Sequence, residues 1–139
     1  MRTIRALALV LAAIGLQACE STTSLDVPGL EGMWTATMIE FSDNSSPQTV
    51  VDLIQRDGAT YSLTVEASGT ASTLFDDGVG GSSSDSGSLN SANSQLTLGG
   101  QIFDAVRDGD SLTLTDADEL FDFGSGDEVP ATLRIVLTR

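Results

Sequence analysis

Residues 30–139 read as one series of short strands. Apolar and polar side chains alternate along each run, and clusters of Gly, Asp, Asn or Ser break the alternation about every eight to twelve residues. No stretch keeps the 3.6-residue stripe of an amphipathic helix. The expected strands are 32–41, 49–56, 60–67, 70–75, 88–90, 95–98, 101–107, 111–115, 120–123 and 131–138. Asp57-Gly58 reads as a hairpin turn between two of them, and Asp108-Gly109-Asp110 as another. Residues 76–86, all Gly, Ser and Asp apart from Val79, have little to bury and read as a mobile loop. Sequential hairpins of this spacing predict an all-β domain, an antiparallel up-and-down β-barrel of about eight to ten strands, because closure removes exposed strand edges.

The domain is expected to begin at Leu30-Glu31-Gly32-Met33-Trp34-Thr35-Ala36-Thr37, which holds the only Trp of the chain. A period of two places Trp34, Ala36 and Met38 on one face and Thr35, Thr37 and Ile39 on the other. Gly32-Met33-Trp34 at the start of a small all-β domain resembles the G-x-W signature of lipocalins. More closely, the chain resembles small bacterial lipoproteins with a lipocalin-like domain. That resemblance implies a lipocalin-like barrel over 30–139, closed by Gly32, Trp34 and an Arg stacked on the indole from the last strand. Arg139 is that residue, with Arg134 as the fallback. A cation–π contact of this kind is worth about 0.5–2 kcal/mol. Thr115-Asp116 echoes a second lipocalin motif but lacks the Tyr or Trp that follows it there.

The first residues carry an address. Met1-Arg2-Thr3-Ile4-Arg5 is basic, Ala6 to Leu16 is apolar, and Leu16-Gln17-Ala18-Cys19 follows. This is the layout of a secretory signal, with an apolar run shorter than the roughly 20 residues that span a bilayer. The last four residues resemble the bacterial lipobox. The resemblance implies a lipoprotein signal peptide over 1–18 and acyl chains on Cys19 that anchor the protein in the membrane, with about 0.8 kcal/mol for each buried CH₂. Glu20 rather than Asp after the Cys points to the outer membrane, facing the periplasm. Residues 19–29 are expected to form a flexible tether.

Charge and composition exclude several classes of function. The net charge is −14, with 20 acids and 6 bases, every base an Arg. All of the acids follow Cys19, whereas Arg2 and Arg5 precede it. Such a surface repels nucleic acid and anionic lipid, so no nucleic-acid partner is expected. His is absent, which removes Ser-His-Asp and Cys-His catalysis and His metal sites. The single Cys is Cys19, and Lys is absent, so no phosphate loop is present either. The densest acidic stretch offers Asp116, Asp118 and Asp122 as calcium ligands, but it fails the EF-hand spacing and reads first as a solvated loop. No cofactor is expected, and no activated nucleophile can be named.

Two functions follow from these features. One is a non-enzymatic, lipid-anchored envelope protein that holds a small apolar or amphipathic ligand in its barrel, lined by Met38, Leu53, Tyr61, Leu63, Leu112, Leu114 and Leu133. Met33, Trp34, Leu96, Leu98, Ile102 and Ile135 complete the expected inward face. The other is an interaction lipoprotein whose barrel is filled, acting on a protein partner through its acidic surface and the 76–86 loop. The inward face is either crowded or hollow, and this decides between them.

Overall fold

The computed structural model describes residues 25–139. The elements in chain order are α1 (Val27–Leu30), β1 (Gly32–Asp43), β2 (Val50–Asp52), α2 (Leu53–Asp57), β3 (Thr60–Val65), β4 (Thr70–Asp76), β5 (Ser82–Asn90), β6 (Gln95–Leu98), β7 (Gln101–Asp108), β8 (Ser111–Phe121) and β9 (Val129–Thr138). Eight of the nine strands close into an antiparallel barrel: β1 pairs with β3, each later strand with the next, and β9 returns to β1. The fold class expected from the hairpin series is the one observed. β2 is the ninth strand and pairs only with Glu40–Ser42 at the far half of β1.

One inserted residue decides which side chains of β1 face inward. Ala36 pairs with Leu137 and Met38 with Val136, so Thr37 is a bulge. A bulge resets the two-residue alternation. Trp34 and Ala36 point inward before it, and Ile39 and Phe41 after it. Met38 therefore faces away from the interior, contrary to the unbroken alternation. Met33 and Ile102 are also outward, at 66% and 56% exposed. A second bulge, between Asp116 and Glu119, carries β8 through the acidic stretch to Phe121.

Local capping explains two further differences from the sequence pattern. Residues 49–56 do not form one strand: the Asp52 carboxylate accepts hydrogen bonds from the amides of Ile54 (2.9 Å) and Ile39 (3.4 Å). That caps a short helix, which ends at Gly58 in a left-handed conformation rather than in a hairpin turn. Residues 82–86 do not form a loop. They are the first part of β5, whose Ser and Asp side chains are exposed but whose backbone pairs with β4. Only residues 77–81 turn, with the Asp77 carboxylate accepting from the amides of Val79 and Gly81.

β5 also shows why one Gly is required. A Cβ on Gly87 would collide with the carbonyl oxygen of Thr97 on β6. Gly32 differs: a Cβ would meet nothing, but its φ of +118° is rarely open to other residues.

The core fills one end of the barrel. Leu30, Trp34, Leu63, Val65, Leu96, Leu112, Leu114 and Leu137 are fully buried there. α1 closes that end from below. Asp26 caps it by accepting from the Gly29 amide, and Leu25 and Leu30 are buried against the core. Of the tether expected over 19–29, Leu25 onward packs on the barrel instead, and residues 19–24 lie outside the described residues.

Candidate functional site

The opposite end of the barrel is a cup. β1 pairs with β3 only over Gly32–Thr35 and then leaves it for β2, so the sheet splits at this end. α2 fills the gap and brings Leu53 to the wall. The resulting cavity is about 200 Å³. Ile39, Phe41, Leu53, Phe75, Leu98, Phe103, Leu133 and Ile135 form its apolar side. Tyr61, Thr73, Ser83, Asp85 and Gln101 bring polar groups, mostly from neighbouring strands β3, β4 and β5.

These positions share a face because the register aligns them. Tyr61 pairs with Phe75, and Phe75 with Ser83; Leu63 pairs with Thr73, and Thr73 with Asp85. Burial pushes the Tyr61 hydroxyl up to about 12, the Asp85 charge adds to that, and the hydrogen bond with Thr73 opposes it. Tyr61 is therefore a neutral phenol at any ordinary pH, able to donate one hydrogen bond and accept others.

Gln101 extends the polar side to the rim. Its amide donates to the Glu119 carboxylate. Burial raises the pKa of Glu119 and the Asp116 charge raises it further. The Asp116–Glu119 bulge thus turns two carboxyl groups toward each other near the cavity lip. An aromatic stack stands beside them. Phe41 and Phe121 are parallel at 4.1 Å, and Phe123 meets Phe121 edge-on at 4.9 Å. The Arg56 guanidinium lies 5.6 Å from the Phe121 ring and is tied to Asp57 at 2.6 Å.

The closed end places the other expected residues. The Arg139 guanidinium sits 4.5 Å from the Trp34 ring and donates to the Glu31 carbonyl at 3.2 Å. The Trp34 indole donates to the Leu30 carbonyl at 2.8 Å, which locks α1 beneath the barrel. Arg134 faces outward on β9 and takes no part.

Of the expected ligand-lining residues, the structure brings Leu53, Tyr61 and Leu133 to the cavity. Leu63, Leu112 and Leu114 are inward but buried in the filled half, and Met38 is on the outer side of the bulge. Ser83 and Asp85 escaped the sequence reading because a Ser-rich run looks like a loop. Asp122 accepts hydrogen bonds from the amides of Gly124 and Gly126, which lower its pKa, so it serves a turn. Asp118 donates its own amide to the Asp116 carboxylate. Among the described residues, no group of three or more acids is placed to hold a metal ion. Cys19 and the signal peptide over 1–18 lie outside the described residues.

No family model matches the chain, and no curated protein matches it. Among solved structures, the chain is similar to a candidate lipoprotein from Streptococcus pneumoniae. The TM-score is 0.48 and the identity 18%, over 78% of this chain and 90% of that one. A likeness at that level does not carry function across.

Proposed function

We propose that the protein is a lipid-anchored, non-enzymatic component of the bacterial cell envelope that takes a small amphipathic molecule into the cup of its barrel. The cavity carries this reading: about 200 Å³ of space with an apolar side and a polar side, above a filled core. Its size bounds the ligand. Drug-sized pockets run to about 300–1,000 Å³, whereas an apolar cavity of about 150 Å³ already admits benzene. The cup therefore suits a chain or ring of about six to eight carbons, and not a whole lipid.

The segment up to Cys19 supports anchoring through acyl groups, with the outer membrane, facing the periplasm, as the favoured site. The chain enters the fold at Leu25, beside the closed end. Only five residues separate Cys19 from Leu25, a reach of at most about 20 Å. Anchored there, the barrel stands with its closed end toward the bilayer and its mouth toward the aqueous phase. Its ligand then comes from solution rather than from the membrane.

Native mass spectrometry of the chain from Glu20 onward, purified from its own envelope, tests the cup. That chain keeps every strand and every core residue. A reproducible added mass on the order of 100 Da, lost on denaturation, is the expected result. A bare mass, together with no uptake of small alcohols in solution, sinks the cup. It transfers the case to a filled barrel acting on a protein partner through its acidic surface, a reading favoured by the complete packing of the closed half. Anchoring is tested separately: Cys19→Ser should move the protein from the membrane fraction to the soluble one.

A further inference from the structure

We infer that the cup selects an amphipathic amine, a short alkyl or aryl chain ending in a cationic nitrogen, over the corresponding carboxylic acid. This rests on the cup reading above and adds to it the charge of the ligand.

Charge placement around the cavity favours a cationic head. Asp85 is the one charged residue in its wall. It stands on β5 opposite Thr73, near enough for its charge to be felt at the Tyr61 hydroxyl. Ser83, Tyr61 and Gln101 share the cavity lining with it and carry neutral oxygens that can accept hydrogen bonds from an ammonium group. No basic side chain answers them. The chain has no Lys and no His. Arg107 and Arg139 are at the closed end, where they meet α1, Glu31 and Trp34. Arg134 is on the outer face of β9, and Arg56 lies outside the cavity, tied to Asp57. A carboxylate head would enter beside a carboxylate with no counter-charge. An ammonium head would gain a charge-assisted hydrogen bond while its chain covered Phe75, Phe103 and Leu133.

The test compares hexylamine, hexanol and hexanoate, three ligands with one chain and three heads. Each is titrated into the chain from Glu20 onward near pH 7, and binding is followed by NMR at the methyl groups of Leu53 and Leu133. The expected result is that hexylamine binds roughly five- to tenfold tighter than hexanol, competes with it, and weakens as salt is raised, while hexanoate binds least. Asp85→Asn should remove the advantage of the amine over hexanol. Asp85 is exposed, and retained Trp34 fluorescence would show that this variant is folded.

The outcomes separate the two claims. Hexanol and hexylamine binding equally well leaves the cup standing and overturns the amine preference. So does an amine preference that survives in Asp85→Asn, since it then belongs to the acidic surface at large. Hexanoate binding as tightly as the amine also overturns it. If none of the three binds, the cup itself falls and takes the inference with it.

Discussion

The two ends of the barrel are built from the same eight strands and differ in what is laid across them. At the closed end α1 and the residues before it deliver Leu30 and Leu25 into the space left by the strands, and Trp34 completes the filling. The indole has no unmet polar group, because the Leu30 carbonyl accepts from it, and Arg139 seals the ring from outside. At the mouth, β1 abandons β3, and α2 takes up the gap between them. Half-buried aromatics and hydroxyl groups line what remains. An eight-stranded barrel has room either to be packed solid or to keep a small hollow, and here the terminal pieces choose between these separately for each end.

The sharpest way to break this contrast is to remove a large side chain from each end. Trp34→Ala would leave a dry cavity in close-packed surroundings and orphan the Leu30 carbonyl, at a cost of about 3–5 kcal/mol in denaturant unfolding. Gly87→Ala, also below the cup, would force β5 and β6 apart and cost about 1–3 kcal/mol. Arg139→Ala should cost about 0.5–2 kcal/mol, through lost stacking on Trp34. That cost should hardly change with salt, because the ion pair with Asp110 is long, at 3.6 Å, and Asp110 is 82% exposed. At the mouth, Leu53→Ala should cost about 1 kcal/mol or less, since Leu53 is only half-buried and already borders empty space. Equal costs for Trp34→Ala and Leu53→Ala would mean that the cup collapses in solution and that the ends are alike.

The same contrast marks what the sequence made legible. The strands of the closed end could be read from residue types, although α1 beneath them could not. Leu63 and Val65, Leu112 and Leu114, and Ile135 and Leu137 keep strict alternation, and the Arg139 guanidinium lies over the Trp34 ring. The mouth could not be read that way, because each of its features comes from a broken alternation or a side chain that caps the backbone. The Thr37 bulge exchanged Met38 for Ile39 and Phe41. The Asp52 cap turned an apolar run into α2. β5 is held by backbone pairing with its neighbours, which leaves no apolar trace in Ser82-Ser83-Ser84-Asp85. A sequence pattern reports burial, and the mouth is the part of the barrel that is least buried.

Ionisation offers the finest test, since the shifted carboxyl groups at the mouth move in opposite directions. Burial and the Asp116 charge raise the pKa of Glu119, so the folded state holds this proton more tightly than the unfolded chain does. Its contribution is fully present below the unfolded value and is lost as pH rises through the folded one. Asp122 is the reverse: amide hydrogen bonds from Gly124 and Gly126 lower it, so its contribution is present above the unfolded value and lost as pH falls through the folded one. Glu119→Gln should therefore melt slightly higher than the parent once the Glu119 carboxyl has ionised and converge with it on the acid side, below the ordinary carboxylate range. Asp122→Asn should melt lower near neutrality and converge on the acid side. Both shifts are expected to be small, because Asp122 is exposed and Glu119 only partly buried. Thermal melts of the two variants across that range would decide the matter. If Glu119→Gln tracks the parent at every pH, the Asp116–Glu119 pair is solvated as fully as any surface acid, and the lip of the cup is not the partly desolvated place that its geometry describes.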